Sequence, residues 1–300
     1  MSTIAEIDVE AKFEDPVEKK PWPQVVAKLI RKQPLGAAGF GIVIVMLLMA
    51  FFADFITFYD PELNKFEDML IPPGDQYFLG TDQFGRDVLT RIIYGARTAL
   101  LVGFSAAFMG AFAGLILGVA SAYFGGRFDL LFQRVMDVFL AFPLIIMALA
   151  IVSIFGPGLE NVIIAITIPF IPQCARVVRS NALAIREIPY VDAARALGFG
   201  HARIILRHMV PNVMAPFLIM LSTFVGHAIL LEASLSYLGL GVTEPTPAWG
   251  LMLQGGAEEY AESAPWMAIW PGIAISIAVF GFNLFGDALR DILDPKLRSL

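Results

Sequence analysis

The sequence has 300 residues, of which 57% are hydrophobic and 16% charged, and its mean hydropathy is +0.71. Soluble domains hold about 45–50% apolar and about 25% charged residues, so this composition excludes an ordinary soluble domain and indicates a membrane protein. The net charge of −6 leaves no basic surface for phosphates, which argues against nucleic-acid binding. One cysteine, Cys174, excludes an intrachain disulfide and a cysteine metal cluster.

Six stretches are apolar over the roughly 20 residues that a helix needs to cross a bilayer. The predicted spans are residues 36–58, 98–123, 135–155, 161–178, 213–235 and 266–285. They predict an all-α polytopic membrane protein with six transmembrane helices. The predicted divisions are an N-terminal tail (1–34), a first helix with its outer loop (35–97), a five-helix core with a loop at 180–212 (98–290) and a C-terminal tail (291–300).

The distribution of basic residues predicts the orientation. With the N-terminus inside, 17 of the 21 lysines and arginines fall on the inner side, and four fall in the loop after the first span. This asymmetry predicts that both termini are cytoplasmic. The first tail has no apolar run of signal-peptide type, so we expect the first span to be an uncleaved anchor.

The second span carries small residues at every fourth position, on one face of the helix. They are Ala106, Gly110, Gly114, Gly118 and Ala122. Such a stripe lets another helix approach closely, so we predict helix packing, with pore lining as the alternative.

Prolines and ionisable groups mark the later spans. Pro169 and Pro172 predict a kink or break in the fourth span, which could be structural or could line a path. Ionisable groups at membrane depth are costly. His227, Glu232 and Asp287 therefore either contact a solute or pair within the bundle.

The loop at residues 187–212 predicts a helix-turn-helix on the cytoplasmic side. Pro189 suits a helix start, and Gly198 and Gly200 interrupt the run before a second short helix. The first of these helices carries an apolar strip at three-residue spacing, formed by Val191, Ala194 and Leu197. The strip could fill a groove in a partner protein or rest on the inner leaflet.

This loop resembles the inner-membrane permease subunits of binding-protein-dependent ABC importers, whose pattern is E-A-A-x-x-x-G followed by I-x-L-P. Here D-A-A-R-A-L-G spans 192–198 and H-M-V-P spans 208–211, at the same spacing. Asp192 replaces the glutamate, and H-M-V replaces I-x-L. His208 to Asn212 nevertheless fit the H-x-x-P-N ending of the oligopeptide and dipeptide branch.

Other segments resemble the C-type permease of that branch, which includes nickel and some oligosaccharide systems. They are L-G-T-D-Q-F-G-R-D from residue 79, Y-G-A-R from 94, E-A-S-L-S-Y-L-G-L-G from 232 and L-D-P from 293. The resemblance covers nearly all of residues 34–298.

The resemblance implies a multi-pass permease subunit of the bacterial inner membrane that imports a peptide or similar small solute. Its partners would be a homologous second permease, two cytosolic ATPase subunits and an external solute-binding protein. ATP and Mg²⁺ would bind the ATPases only. This chain has no G-x-x-x-x-G-K-[ST] phosphate loop, and we predict no enzyme activity and no cofactor of its own.

The resemblance also implies roles for individual residues. ATPase coupling is expected at Tyr190, Val191, Asp192, Ala193, Ala194, Arg195, Leu197, Gly198, His208, Pro211 and Asn212. Docking of the binding protein or the second permease by the outer loops is a further hypothesis, for Asp82, Arg86, Asp87, Arg97 and Trp249. The alternative for residues 80–97 is an interfacial helix that packs on the bundle.

Two other function classes fit the residues less well. A stand-alone secondary transporter predicts an intramembrane ion site, but the spans lack a dense ionisable relay. A membrane enzyme predicts converging catalytic groups. His201, His208 and His227 show neither H-E-x-x-H nor a neighbouring nucleophile. The residues do not distinguish peptide, nickel, glutathione and oligosaccharide as the solute.

Overall fold

The computed structural model describes residues 33–293, so most of the two predicted tails lies outside the described residues. The helices are α1 Pro34–Phe51, α2 Ala53–Ile56, α3 Val88–Phe124, α4 Gly126–Leu140, α5 Leu144–Phe155, α6 Leu159–Arg186, α7 Pro189–Ala196, α8 His201–Tyr237, α9 Trp249–Glu258 and α10 Trp266–Leu293. Within residues 33–293 the only extended pairing is one bridge between Thr81 and Asp87. The all-α prediction is confirmed.

Five helices are long and apolar enough to cross a membrane: α1, α3, α6, α8 and α10. Helices α4 and α5 form a sixth candidate only as a pair bent by 88°. The prediction of one continuous helix over residues 135–155 is therefore wrong. The chain leaves the helix between Leu140 and Leu144, because Pro143 lacks an N–H and disfavours helical geometry in the residue before it.

Two other helix boundaries differ from the prediction. Helix α3 begins at Val88, ten residues before the predicted start, because the Asp87 carboxylate accepts the Thr90 N–H at 2.8 Å and caps the first turn. Residues 88–97 are thus the first turns of a span, and not a separate interfacial helix. Helix α6 continues through Pro169 and Pro172, so it is not broken there, and the kink given as the other possibility stays a prediction.

Small residues set the closest helix contacts. A Cβ added at Gly114 of α3 would lie 2.6 Å from the Cys174 Cβ of α6, and one at Gly110 would lie 2.7 Å from the Phe170 Cβ. The rings of Phe170 and Phe224 stack with centroids 4.2 Å apart and join α6 to α8. Close backbone approach supplies the dispersion contacts that hold membrane helices together.

The bundle has two different ends. At one end, which we call the loop end, residues 57–87 and 238–265 fold over the starts of α3 and α10. At the other, the short-helix end, residues 187–212 join α6 to α8 through α7. Helix α8 runs from the short-helix end to the loop end and so connects them directly.

Candidate functional site

Helix α7 has a defined start and stop at the short-helix end. Pro189 occupies its first turn. After its last turn Gly198 adopts φ +75° and donates its N–H to the Arg195 carbonyl at 2.9 Å, while the Phe199 N–H reaches the Ala194 carbonyl at 3.2 Å. These two bonds form a Schellman cap, which needs the left-handed conformation that glycine adopts without strain.

The structure divides the predicted apolar strip of α7. Val191 and Ala194 are buried in the core of this chain, whereas Leu197 is 73% exposed. The expectation that all three residues form an exposed strip is therefore wrong, because the three-residue spacing marks the face packed on the bundle. The exposed residues of α7 and its cap are Pro189, Tyr190, Asp192, Ala193, Arg195, Ala196, Leu197 and Gly198.

Three predicted coupling residues meet where α7 touches α8. The Tyr190 hydroxyl donates to the His208 carbonyl at 2.9 Å. The Asn212 side-chain amide donates to the same carbonyl at 2.7 Å and to the Tyr190 hydroxyl at 3.0 Å. This triangle ties the start of α7 to the first turns of α8, so the two helices are held as one body.

The first turns of α8 are irregular at this contact. Residues Ile205–Met209 form a π-helical turn and Val210–Val213 a 3₁₀ turn. Pro211 lacks an N–H and so interrupts the α-helical ladder at this point. It lies three residues after His208, whose carbonyl accepts the two side-chain bonds from Tyr190 and Asn212.

A second set of contacts at this end was missed by the sequence analysis. The Tyr123 hydroxyl and His201 Nδ1 lie 2.7 Å apart, and the Arg195 guanidinium lies 5.5 Å from the Tyr123 ring centroid. Arg186 donates to the Ala122 carbonyl at 2.8 Å. These contacts join the end of α3 to residues 186–201, and no short motif could show pairs 64 to 78 residues apart.

Arginine and carboxylate side chains cluster at the loop end. Arg86 Nε donates to Asp82 at 2.7 Å, and its two terminal nitrogens donate to Glu244 at 2.6 and 3.1 Å. Arg91, 0% exposed, lies 3.5 Å from Glu244 and donates to the Pro61 carbonyl at 2.8 Å. Burial lowers the pKa of Arg86, but the bonds to Glu244 and the charge of Asp82 outweigh it, so the pKa lies above its usual range.

Other predicted docking residues also bond within the chain. The Trp249 indole donates to the Ile92 carbonyl at 2.9 Å, and Arg97 pairs with Asp54 at 2.8 Å. Four of the five predicted docking residues are buried: Asp82, Arg86, Asp87 and Trp249. Their bonds fasten the two segments of the loop end, residues 57–87 and 238–265, to each other and to α3. Arg91 and Glu244 were missed, since 153 residues separate them.

The three ionisable residues of the spans have different surroundings. Glu232 is buried and accepts a hydrogen bond from the Ser236 hydroxyl at 2.7 Å, which also accepts the Val242 N–H at 3.1 Å. Glu232 thus pairs within the bundle. Asp287 is exposed towards the end of α10. His227 is exposed in α8, and its side chain has no hydrogen bond to any residue of 33–293.

The arrangement around α7 suits the transmission of a movement and not a chemical reaction. Across residues 33–293, no three His, Cys, Asp or Glu side chains converge as metal ligands would. A membrane bundle with a capped short helix on its surface can receive a force at that helix and transmit it along α8. The arrangement fits a membrane transport subunit.

Family models define the class. Residues 110–299 match the model described as the inner membrane component of binding-protein-dependent transport systems, so the chain belongs to this family. It is a permease subunit of an ABC importer in the inner membrane, and ATP hydrolysis is carried by separate subunits. Residues 20–73 match the N-terminal TM domain of oligopeptide transport permease C, which identifies the C-type permease of this branch. The resemblance stated from the motifs is confirmed.

Similar proteins cover more than nine-tenths of the chain. A putative peptide transport system permease of Brucella suis is 43% identical over 94% of both chains. The dipeptide transport system permease DppC of Alkalihalophilus pseudofirmus is 42% identical over 93% of this chain and 91% of its own. The glutathione transport system permease GsiD of Pectobacterium atrosepticum is 38% identical over 94% and 93%.

A solved structure shares the fold. An inward-facing structure of the MetNI methionine ABC transporter matches with a TM-score of 0.55 and 19% identity. The match covers 69% of this chain and 97% of the matched chain.

Proposed function

We propose that this chain imports a short peptide or a peptide-like solute together with a homologous second permease, fed by an external solute-binding protein. The names of three relatives support this solute class: peptide, dipeptide and glutathione, all molecules built from amide-linked residues with free carboxylates. Because each relative matches over more than nine-tenths of both chains, the likeness includes the spans and both ends of the bundle.

The ATPase contact, in this proposal, is the exposed surface of α7. Leu197 is the observation that carries it, because a leucine 73% exposed at the end of a capped, polar helix leaves most of its apolar side chain unburied in this chain and available to a partner. Asp192 and Arg195 flank it with a charge pair at 3.0 Å. An apolar residue with a polar rim is the composition of a protein contact.

Force applied to α7 would pass into the bundle by two routes. Val191 and Ala194 press α7 onto the core, and the triangle of Tyr190, His208 and Asn212 fixes it to α8. Since α8 continues to Tyr237, a rigid movement of α7 would be felt at the loop end. ATP and Mg²⁺ would act only on the partner ATPases.

The short-helix end is cytosolic in this proposal. The 17-to-4 distribution of basic residues supports that orientation, because cytosolic segments carry the excess of lysine and arginine. The loop end would then meet the binding protein. A recess of about 340 Å³ lined by Ile56, Phe58, Asp75 and Phe78 offers exposed aromatic rings there, whereas the buried charge cluster keeps the loops in place.

Co-purification tests the proposal. The tagged chain is isolated from membranes of its own host in mild detergent, and the accompanying polypeptides are identified by mass spectrometry. A second permease and ATPase subunits are expected, and the complex in vesicles should take up a labelled dipeptide only with ATP and its binding protein. A chain that purifies alone and drives gradient-dependent uptake would instead support a stand-alone secondary transporter.

A further inference from the structure

The exposed faces of the membrane helices differ in chemistry. In α1 and α3 every fully exposed side chain is apolar, as contact with lipid tails requires. On α3 these residues are Leu101, Phe104, Phe108, Met109, Phe112, Ile116 and Phe124. Both helices therefore present an ordinary lipid-facing surface.

Helix α8 carries polar groups on its uncovered face. The residues lie at alternating spacings of four and three, which places them in one line along the helix. This polar stripe consists of Thr223, His227, Leu230, Ser234 and Tyr237, all exposed or half-buried. The opposite face is packed: Gly103 of α3 lies against Val225 and Ile229, and Gly226 lies against Phe282 of α10.

With Tyr237 taken as the membrane boundary, the length of α8 places His227 near the middle of the bilayer. It is ten residues before Tyr237 at the loop end, which at 1.5 Å per residue is about 15 Å, or half the roughly 30 Å hydrocarbon thickness. The hydroxyls of Thr223 and Ser234 bond to their own helix, at 3.0 Å to Ile219 and 2.8 Å to Leu230. The imidazole has no such partner within residues 33–293.

An imidazole cannot rest against lipid tails without cost. Burying an unbonded polar group in hydrocarbon is unfavourable, so intramembrane histidines face water or a polar partner. The fully exposed side chains of α1 and α3 are all apolar, whereas His227 is a fully exposed imidazole on α8. The stripe therefore requires water or a polar partner when the importer is assembled.

We propose that the polar stripe of α8 lines the solute path and that His227 contacts the passing solute. The inference rests on the function proposed above. The stripe offers an imidazole and three hydroxyls and no carboxylate, because Glu232 is turned into the bundle. A short peptide presents amides and a carboxylate, which are the hydrogen-bond partners that such a stripe accepts.

Thiol accessibility tests the orientation. Cys174 is the only cysteine of this chain and is buried, so Cys174→Ala gives a background for single cysteines. In the assembled importer, His227→Cys should react with a charged, water-soluble methanethiosulfonate, and the reaction should block dipeptide uptake. The matched control Phe108→Cys, exposed on the apolar face of α3, should not react.

Uptake by two substitutions tests the contact with solute. His227→Leu should lower dipeptide uptake roughly tenfold, the effect of losing one hydrogen bond to a charged group, while His227→Gln should retain most of it. Both complexes should assemble at the wild-type yield. The inference is overturned if the thiol of His227→Cys reacts only with a lipid-soluble maleimide, or if His227→Leu reduces assembly instead of uptake, which would place the stripe against lipid or against the second permease.

The wild-type complex separates the two proposals. Dipeptide uptake by wild type with no effect at His227 would refute the stripe and leave the proposed function intact. Absence of dipeptide uptake by the wild-type complex, with the His227→Cys variant still reactive to the charged reagent, would refute the peptide assignment and retain an aqueous path along α8.

Discussion

Substituting Gly198 by aspartate should disconnect ATP hydrolysis from uptake while leaving the chain folded. Gly198 adopts φ +75°, and a Cβ there would meet no atom within 4 Å. The cost within this chain is therefore conformational strain alone, about 1–2 kcal/mol for a residue with a side chain in the left-handed region. That is a minority of the roughly 5–15 kcal/mol that stabilises a typical domain.

The larger effect is expected at the partner. The new carboxylate would lie in the proposed ATPase contact beside Leu197, and an unpaired charge buried there costs about 2 kcal/mol or more. Since about 1.4 kcal/mol is tenfold, the ATPase contact should weaken about thirtyfold. Binding-protein-dependent dipeptide uptake and stimulated ATP hydrolysis by the reconstituted complex measure this loss, and thermal unfolding of the purified chain measures the strain.

Two controls separate strain from charge. Asparagine tolerates the left-handed conformation better than other residues with a side chain and adds no charge. The Gly198→Asn complex should therefore retain most of the uptake. Gly200→Asp adds the same charge two residues away, where φ is −65° and a Cβ also meets nothing. Normal uptake by Gly198→Asp would refute the contact, and loss of the folded chain from the membrane would refute the energetic reasoning.

Three further predictions concern stability, measured as thermal unfolding of the purified protein in detergent. Arg86→Met removes one partner of the Asp82 and Glu244 carboxylates and should lower the free energy of unfolding by about 2–3 kcal/mol. Lys65→Met, at an exposed position, should change it by less than about 0.5 kcal/mol. Gly114→Ala overpacks the contact of α3 with α6 and should cost about 1–3 kcal/mol, while Gly41→Ala, with open space around its Cβ, should be neutral or stabilising. Tyr190→Phe loses two hydrogen bonds at the start of α7 and should cost about 1 kcal/mol. Equal melting temperatures within either matched pair, or for Tyr190→Phe and wild type, would contradict the corresponding contact.

Local patterns in the sequence predicted the helices and the family. Hydropathy places a span wherever about 20 apolar residues follow one another, because the backbone must bond within the segment. The glycine at residue 198 and the proline at 189 predicted the ends of α7 for equally local reasons. The start of α3 was misplaced because its first turns contain Arg91 and Arg97, whose charges pair within the loop end instead of facing solvent.

The sequence alone did not show which side chains far apart in the chain contact each other. Nothing local indicates that Arg86 meets Glu244, 158 residues away, or that Tyr123 meets His201. For the same reason, the three-residue spacing on α7 showed an apolar face but not which surface covers it. The face proved to be the packed one, which leaves Leu197 as the exposed apolar residue of that turn.

Disulfide cross-linking at Leu197 tests the central claim most directly. Leu197→Cys in the Cys174→Ala background is oxidised in the assembled importer, with Ile154→Cys, at a position that is 79% exposed on α5, as the matched variant. The account predicts a cross-link from the Leu197→Cys variant to an ATPase subunit carrying a cysteine in its permease-facing surface, and none from the Ile154→Cys variant. A transport-competent Leu197→Cys complex in which no ATPase position forms a cross-link to the introduced thiol would contradict it.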